Sequence, residues 1–387
     1  MRVRAGAGVS TESDARVGAI EAATAARESL AGAPADLAVV FASGMHLAAP
    51  ELTLEGVHEA LLPARLVGCG AGGVLGQGRE LEAETAVAVW VAAFADGGVR
   101  TFHARAREDD GRTAIEGLPD LEGAGALLLL PDMYTFPTDG LLAGLAEAEP
   151  GLPVVGGIAS ARTLEDGGAL FLDADVVDEG AVGAVFDGVD LLPCVSQGAA
   201  PVGPELTVTA ADRQVVHELA GEPALEKIQE VVASLTPRER TLVEGGLLIG
   251  LVIDGGKPDY GTGDFLVRAL LGADPDTGAV AVGADVRPGQ VVRLHARDAD
   301  SADRDLQRAL DLGMRALGGE PPAGALCFSC NGRGRQMFGT PDHDAAALAA
   351  ALRGAPAAGF FAAGEIGPVG GESFLHGFTA TVALFAP

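Results

Sequence analysis

Lysine is almost missing from this 387-residue chain, which carries only Lys227 and Lys257 beside 24 arginines. Basic residues are scarce altogether, 26 against 54 acidic ones, so the formal charge is −28. A surface of that sign repels nucleic-acid phosphate and anionic lipid, which excludes nucleic acid and membranes as partners. The alanine- and glycine-rich, arginine-over-lysine bias fits a GC-rich genome or a salt-adapted surface and says nothing about chemistry. Cysteine is sparse as well. Cys69, Cys194, Cys327 and Cys330 are too few for a disulfide scaffold in a chain of this length, and their places beside apolar strands predict reduced thiols in the cytoplasm. Long apolar runs are absent: ALLLL at 126–130 and LLIGLVI at 247–253 are strand-sized, whereas a membrane helix needs roughly 20 residues. The opening MRVRAGAGVSTESDAR turns small and polar after two arginines, which predicts no secretory leader.

What is present is length enough for two domains, at about 100–200 residues each. The composition eases around SQGAAPVGPE (196–205), giving expected domains of 1–205 and 206–387. Ser13 is placed to cap a helix starting at Asp14 whose buried stripe includes Val17, Ile20 and Ala23. A pattern then recurs three times. LAVVFASG (37–44), GALLLLPDM (125–133) and GALCFSCNG (324–332) are apolar strands closed by small or polar residues. ARLVGCGAGGV (64–74), LPVVGGIASAR (152–162) and PAAGFFAAGEIG (356–367) are strands running into glycine. TAVAVWVAAF, GAVGAVFDGV and GFTATVALF are apolar runs that carry a phenylalanine near their ends. The chain reads as three copies of one αβ unit. Between the second and third copies, DFLVRALLG, GAVAVGADV and QVVRLHARD, separated by turn residues, predict an antiparallel meander. Before it, VVHELAGEPALEKIQEVVASL joins a strand to a helix starting at Pro223. The expected fold class is α/β: layered mixed sheets with flanking helices, built from weak internal αβ repeats, with the meander in the C-terminal half.

Four motifs bear on chemistry. CFSC (327–330) has redox or zinc spacing, but a strand context and the lack of a second pair argue against both. Residues three apart on a strand face opposite sides, so Cys327 is expected in the core and Cys330 at a pocket, not disulfide-bonded to each other. NGRGRQMFG (331–339) follows that strand with three glycines around Arg333 and Arg335, a place where αβ proteins hold ligands and where arginine can grip a carboxylate or phosphate. Its spacing matches neither the dinucleotide fingerprint nor the P-loop. GEIGPVGGESFLHG (364–377) sets Glu365 in an apolar glycine-rich loop, with Ser373 and His376 following. The histidines show no metal-ligand spacing, so neither a metal nor a cofactor is expected. GCGAGG (68–73) occupies the matching place in the first copy without the arginine or glutamate, and Cys69 there reads as packing.

Together, VVHELAGEPALE, RLHARD, SCNGRG with MFG, and GFFAAGEIGPVGGESFLHGFT resemble the FIST-C domain, and GCGAGG, PVVGGIAS and LPCVSQGAAPVGP resemble FIST-N. The resemblance implies a paired sensory module of signal transduction that binds a small ligand, such as an amino acid. No output domain is recognisable in the sequence, so signalling would pass through a partner protein or a conformational change. The expected ligand site comprises Cys330, Asn331, Arg333 and Glu365, with Arg268 from the meander, because an arginine and a carboxylate suit the two ends of a zwitterion. The alternative is an enzyme with Cys330 as nucleophile and Glu365 or His376 moving protons. A third reading gives the glycines a purely structural role. The first requires the strands at 324–330 and 356–362 to be neighbours.

Overall fold

In the computed structural model, which describes residues 3–109, 112–163, 167–257, 259–261 and 263–387, the three sequence repeats are three copies of one supersecondary unit. The first comprises β1 (Val3–Ser10), α1 (Ala15–Glu28), β2 (Leu37–Ser43), α2 (Pro50–Leu61), β3 (Arg65–Gly70), the hairpin β4 (Gly73–Gly76) and β5 (Arg79–Glu82), and β6 (Ala86–Phe94). The second has β7 (Gly98–Asp109) and β8 (Arg112–Glu116), then β9 (Ala126–Pro131), α3 (Thr138–Ala148), β10 (Val154–Gly157), the hairpin β11 (Leu170–Leu172) and β12 (Asp175–Val177), and β13 (Ala181–Asp187). The third opens with β14 (Leu191–Gln197) and is then interrupted.

The interruption holds β15 (Ala199–Asp212), β16 (Val215–Leu219), β17 (Glu222–Pro223), α4 (Ala224–Ser234), α5 (Pro237–Glu244), β18 (Leu247–Val252), β19 (Phe265–Ala273), β20 (Val280–Val282) and β21 (Val291–Arg297). The third copy resumes with α6 (Ala299–Ala316), β22 (Gly324–Cys330), the short α7 (Arg335–Phe338), α8 (His343–Ala351), β23 (Ala357–Ala362), the hairpin β24 (Glu365–Val369) and β25 (Glu372–His376), and β26 (Thr379–Phe385). Accordingly, one compact unit contains residues 1–195, 306–375 and 380–387, and the other contains 196–305 and 376–379.

Within the first unit every copy builds its sheet the same way. Its last strand lies antiparallel to its central strand, which lies parallel to the next: β6–β2–β3, β13–β9–β10 and β26–β22–β23. The hairpins are then exchanged in a cycle. β4 of the first copy joins β23 of the third, β11 of the second joins β3 of the first, and β24 of the third joins β10 of the second. The central strands β2, β9 and β22 are buried at every position, which explains why they read as unbroken apolar runs instead of alternating ones. All three copies share one core. Phe41 meets Phe360 at 4.8 Å, Trp90 meets Phe385 at 4.6 Å, and Phe186 meets Phe385 edge-on at 5.4 Å. Rings of this size carry about 1.5–3 kcal/mol each through burial, so the copies are held together by rings that no single copy could cover.

Helix α1 differs from the sequence expectation in its face and its cap. Asp14, not Ser13, is the N-cap, accepting from the peptide N–H groups of Arg16 and Val17. The buried stripe is Ala15, Gly18, Ala19, Ala22, Ala23 and Ala26, while Val17 is 45% exposed. The reason is closeness of approach. A Cβ on Gly8 would lie 2.0 Å from the Ala22 carbonyl oxygen, and one on Gly6 would lie 1.9 Å from that of Ala26, so only small residues fit between helix and sheet.

The second unit is an antiparallel sheet in the order β15-β21-β18-β19-β20-β16-β17, and a β15–β16 pairing curls it into a barrel-like form. β19 and β20 pair as the meander predicts, but β21 lies between β15 and β18 instead of beside β20. Helix α4 starts one residue after Pro223 and packs Ile228, Val231 and Leu235 with Val202 and Leu206. Among the described residues, no helix is long and apolar enough to cross a membrane.

Candidate functional site at the strand ends of the first unit

The parallel pairing of β22 with β23 sends both of their following loops out of the same sheet end, where open α/β proteins place their ligands. The peptide N–H of Asn331 donates to the Ala362 carbonyl at 2.9 Å and fixes the start of the NGRG loop. Loops of the other two copies come to the same place. Ser160, after β10, accepts from the peptide N–H of Gly72, after β3, at 2.9 Å and donates to the Phe361 carbonyl of the third copy. Asn331 Oδ1 lies 4.0 Å from where a Cβ on Gly72 would be. Gly72 and Asn331 are exposed and Ser160 is half-buried, so the junction is an open rim of neutral donors and acceptors.

Charge stands close by. Asp132, buried at the end of β9, uses Oδ1 to accept from the Thr135 hydroxyl at 2.8 Å and from the peptide N–H groups of Tyr134 and Thr135. Its Oδ2 is 3.6 Å from a guanidinium nitrogen of Arg162, and that guanidinium lies 4.9 Å from the centre of the Tyr134 ring. Arg162 is two residues beyond Ser160, so an oriented, partly exposed cation follows the junction directly.

Beneath the NGRG loop, Arg333 is 1% exposed and forks onto Asp344 through Nε at 2.7 Å and Nη2 at 2.9 Å. Ser329 donates to Asp344 at 2.9 Å, and His343 Nδ1 lies 3.0 Å from it. Burial opposes the Asp344 charge, yet Arg333 and these neighbours hold its carboxyl far below the usual range. The third Arg333 nitrogen, Nη1, is buried without a hydrogen-bond partner among the described residues. Glu80, brought from the first copy by the exchanged hairpin, accepts from the peptide N–H groups of Asp344 and Ala345 at 2.7 and 3.1 Å and so caps α8. Burial, reinforced by the neighbouring Asp344, pushes the Glu80 carboxyl up to about 7. Gly334 (φ 69°, ψ −156°) is required in this loop, because that backbone conformation is open essentially only to glycine.

The neighbouring strands at 324–330 and 356–362 are as the sequence requires, and Cys330, Asn331, Arg333 and Glu365 all belong to the first unit. Cys330 is 8% exposed, and its sulfur accepts from the Gly332 peptide N–H at 3.4 Å. Cys327 packs in the cluster of Leu306, Leu310 and Leu348, where burial drives its thiol pKa upward. Glu365 is wholly buried on β24 opposite Gly157, within electrostatic reach of Arg333. Arg268, opposite Ile249 on β19, and His376 belong to the second unit. Sequence reasoning missed Asp344, Glu80, Ser160, Asp132 and Arg162. Asp344 had a signal, an aspartate at a helix start just after the NGRG loop; Glu80 had none, since its partners are more than 250 residues away.

A FIST N domain model matches residues 36–222 and a FIST C domain model matches residues 224–368. The chain belongs to the FIST family. FIST domains are sensory modules that bind small ligands in signal transduction. An uncharacterized protein of Mycobacterium tuberculosis is 45% identical over 384 residues, covering 99% of this chain and all of that protein. A second, from Mycobacterium bovis, is 43% identical over 384 residues, with 99% of each chain covered. Both likenesses extend over the three repeats and the interrupting unit of this FIST protein.

Proposed function

We propose that this FIST protein is a cytoplasmic sensor whose ligand is an amino acid or another small carboxylate, bound at the strand ends of the first unit. The observation that carries this reading is the junction of Gly72, Ser160 and Asn331, where one loop from each repeat supplies polar groups at an exposed rim. In the proposal, Asn331 hydrogen-bonds the ligand and Arg162 receives its carboxylate. Cys330, Arg333 and Glu365 form the floor, with Arg333 acting chiefly through the loop it anchors, because two of its nitrogens are committed to Asp344. Arg268 lies in the other unit and is not needed for this reading. Occupancy is passed on to a signalling partner through the loops that the ligand orders.

A thermal-shift panel of amino acids and small carboxylates on wild type and Asn331→Ala tests the proposal. Asn331 is exposed, so its truncation spares the fold. A ligand at 100 times its dissociation constant adds about 2.7 kcal/mol to wild type, and Asn331→Ala should lose most of that gain. Equal stabilisation of both proteins would remove Asn331 from the site, and no response from wild type to any compound would defeat the ligand class. The competing enzyme reading needs a Cys330 thiolate formed well below the ordinary thiol pKa of about 8.5, which iodoacetamide labelling against pH detects.

A further inference from the structure

The cyclic exchange of hairpins gives each repeat of the first unit an equivalent niche, where the incoming hairpin meets the start of the receiving strand. Two of the three niches are closed by a side chain. Asp173, one residue past the Leu172–Val67 pair and left-handed at φ 50°, puts its carboxylate 3.0 Å from the peptide nitrogen of Leu66. Ser373 accepts from the peptide nitrogen of Val154 at 3.0 Å in a buried contact. The third niche has Gln77, one residue past the Gly76–Ala358 pair and left-handed at φ 52°, so it is the counterpart of Asp173. Its side chain makes no hydrogen bond among the described residues. In place of a closed contact there is an open cleft of about 340 Å³, bordered by Gln77, Ser29, Ala345, Ala349, Pro356 and Ala357. A smaller void shares Gln77, Ala345 and Ala357 and reaches Cys327 and Leu348.

We propose that this third niche is a separate binding site for a compact uncharged molecule bearing an amide or hydroxyl group. Among the described residues, no ionisable side chain borders the cleft, in a chain with 21% charged residues. A charged guest would be partly desolvated against this wall without a counter-charge, a cost that an uncharged one does not bear. The polar side chains present are the Gln77 amide, which both donates and accepts, and the Ser29 hydroxyl, while the remaining wall is alanine, glycine and proline. The volume lies at the lower end of the range for small-molecule pockets, about 300–1,000 Å³.

The similarly sized probes benzamide, benzoate and benzylamine test the charge rule by titration against the full chain, with ligand-observed NMR as readout. Benzamide should bind wild type at least tenfold more tightly than either charged analogue. Ala349→Trp, at an exposed position of α8, should abolish that binding by filling the niche. Gln77→Asp, which copies the closed niche of the first repeat, should weaken it at least tenfold. Stabilisation by any strand-end ligand should be unchanged in Ala349→Trp, which separates failure of this site from failure of the sensor reading. Three probes of equal affinity, no saturation by benzamide at 10 mM (roughly the weak-fragment limit), or undiminished binding to Ala349→Trp would overturn the proposal.

Discussion

Arg333 shows how one side chain can be read correctly for type and differently for role. An arginine among glycines after a buried strand is a natural anion reader, and the sequence points to the right loop. Its partner, however, is Asp344, eleven residues on, and both side chains are fully buried. Removing either leaves an uncompensated buried charge, so Arg333→Ala should cost about 3–5 kcal/mol in urea unfolding. Replacing the pair together by Arg333→Met and Asp344→Leu should cost less than either single truncation. Glu80 adds a pH signature. Its carboxyl rises from an unfolded value near 4.3 to about 7 in the fold, so the native state binds more protons between those values and stability falls as pH rises through the window. The difference is on the order of 3 kcal/mol. His295, lowered to about 4 by burial, acts in the opposite sense up to roughly pH 6.5, so the useful quantity is wild type minus variant. Wild type should lose stability relative to Glu80→Gln between pH 5 and 8 in thermal melts; a constant difference would contradict the raised carboxyl.

At the scale of elements, the sequence was most legible where burial is complete. β2, β9 and β22, their parallel neighbours and the closing strands are visible because an interior strand must be apolar throughout. The face of α1 was only partly legible: Ala23 is on it, but hydrophobicity alone points to Val17 and Ile20, whereas the space available between helix and sheet admits only small residues. That space is testable. Gly8→Ala forces a methyl group against the Ala22 carbonyl and should destabilise by about 1–3 kcal/mol. Gly144→Ala, in α3 with nothing within 4 Å of the new Cβ, should stabilise by roughly 0.5–1 kcal/mol. The hairpin exchange was illegible for a different reason: β4, β11 and β24 are short segments whose partners lie in other copies, and nothing local says which copy. Glu80 and the floor of the site depend on that exchange.

The whole molecule is a threefold-repeated sheet assembly whose third copy is interrupted between β14 and α6 by the second unit. The clusters around Phe41, Ala22, Leu306 and Leu141 are confined to the first unit, so its core does not depend on the interruption. Replacing 196–305 by a short turn like Thr11–Asp14 should therefore leave a cooperatively melting protein by circular dichroism. The position of the bound ligand separates a strand-end site from one in the second unit. A co-crystal structure with the most stabilising compound of the amino-acid and carboxylate panel is the most direct test. Ligand density is expected against Asn331, Ser160 and Gly72, with the carboxylate towards Arg162. Density confined to the second unit, with the strand-end rim unchanged, would contradict it.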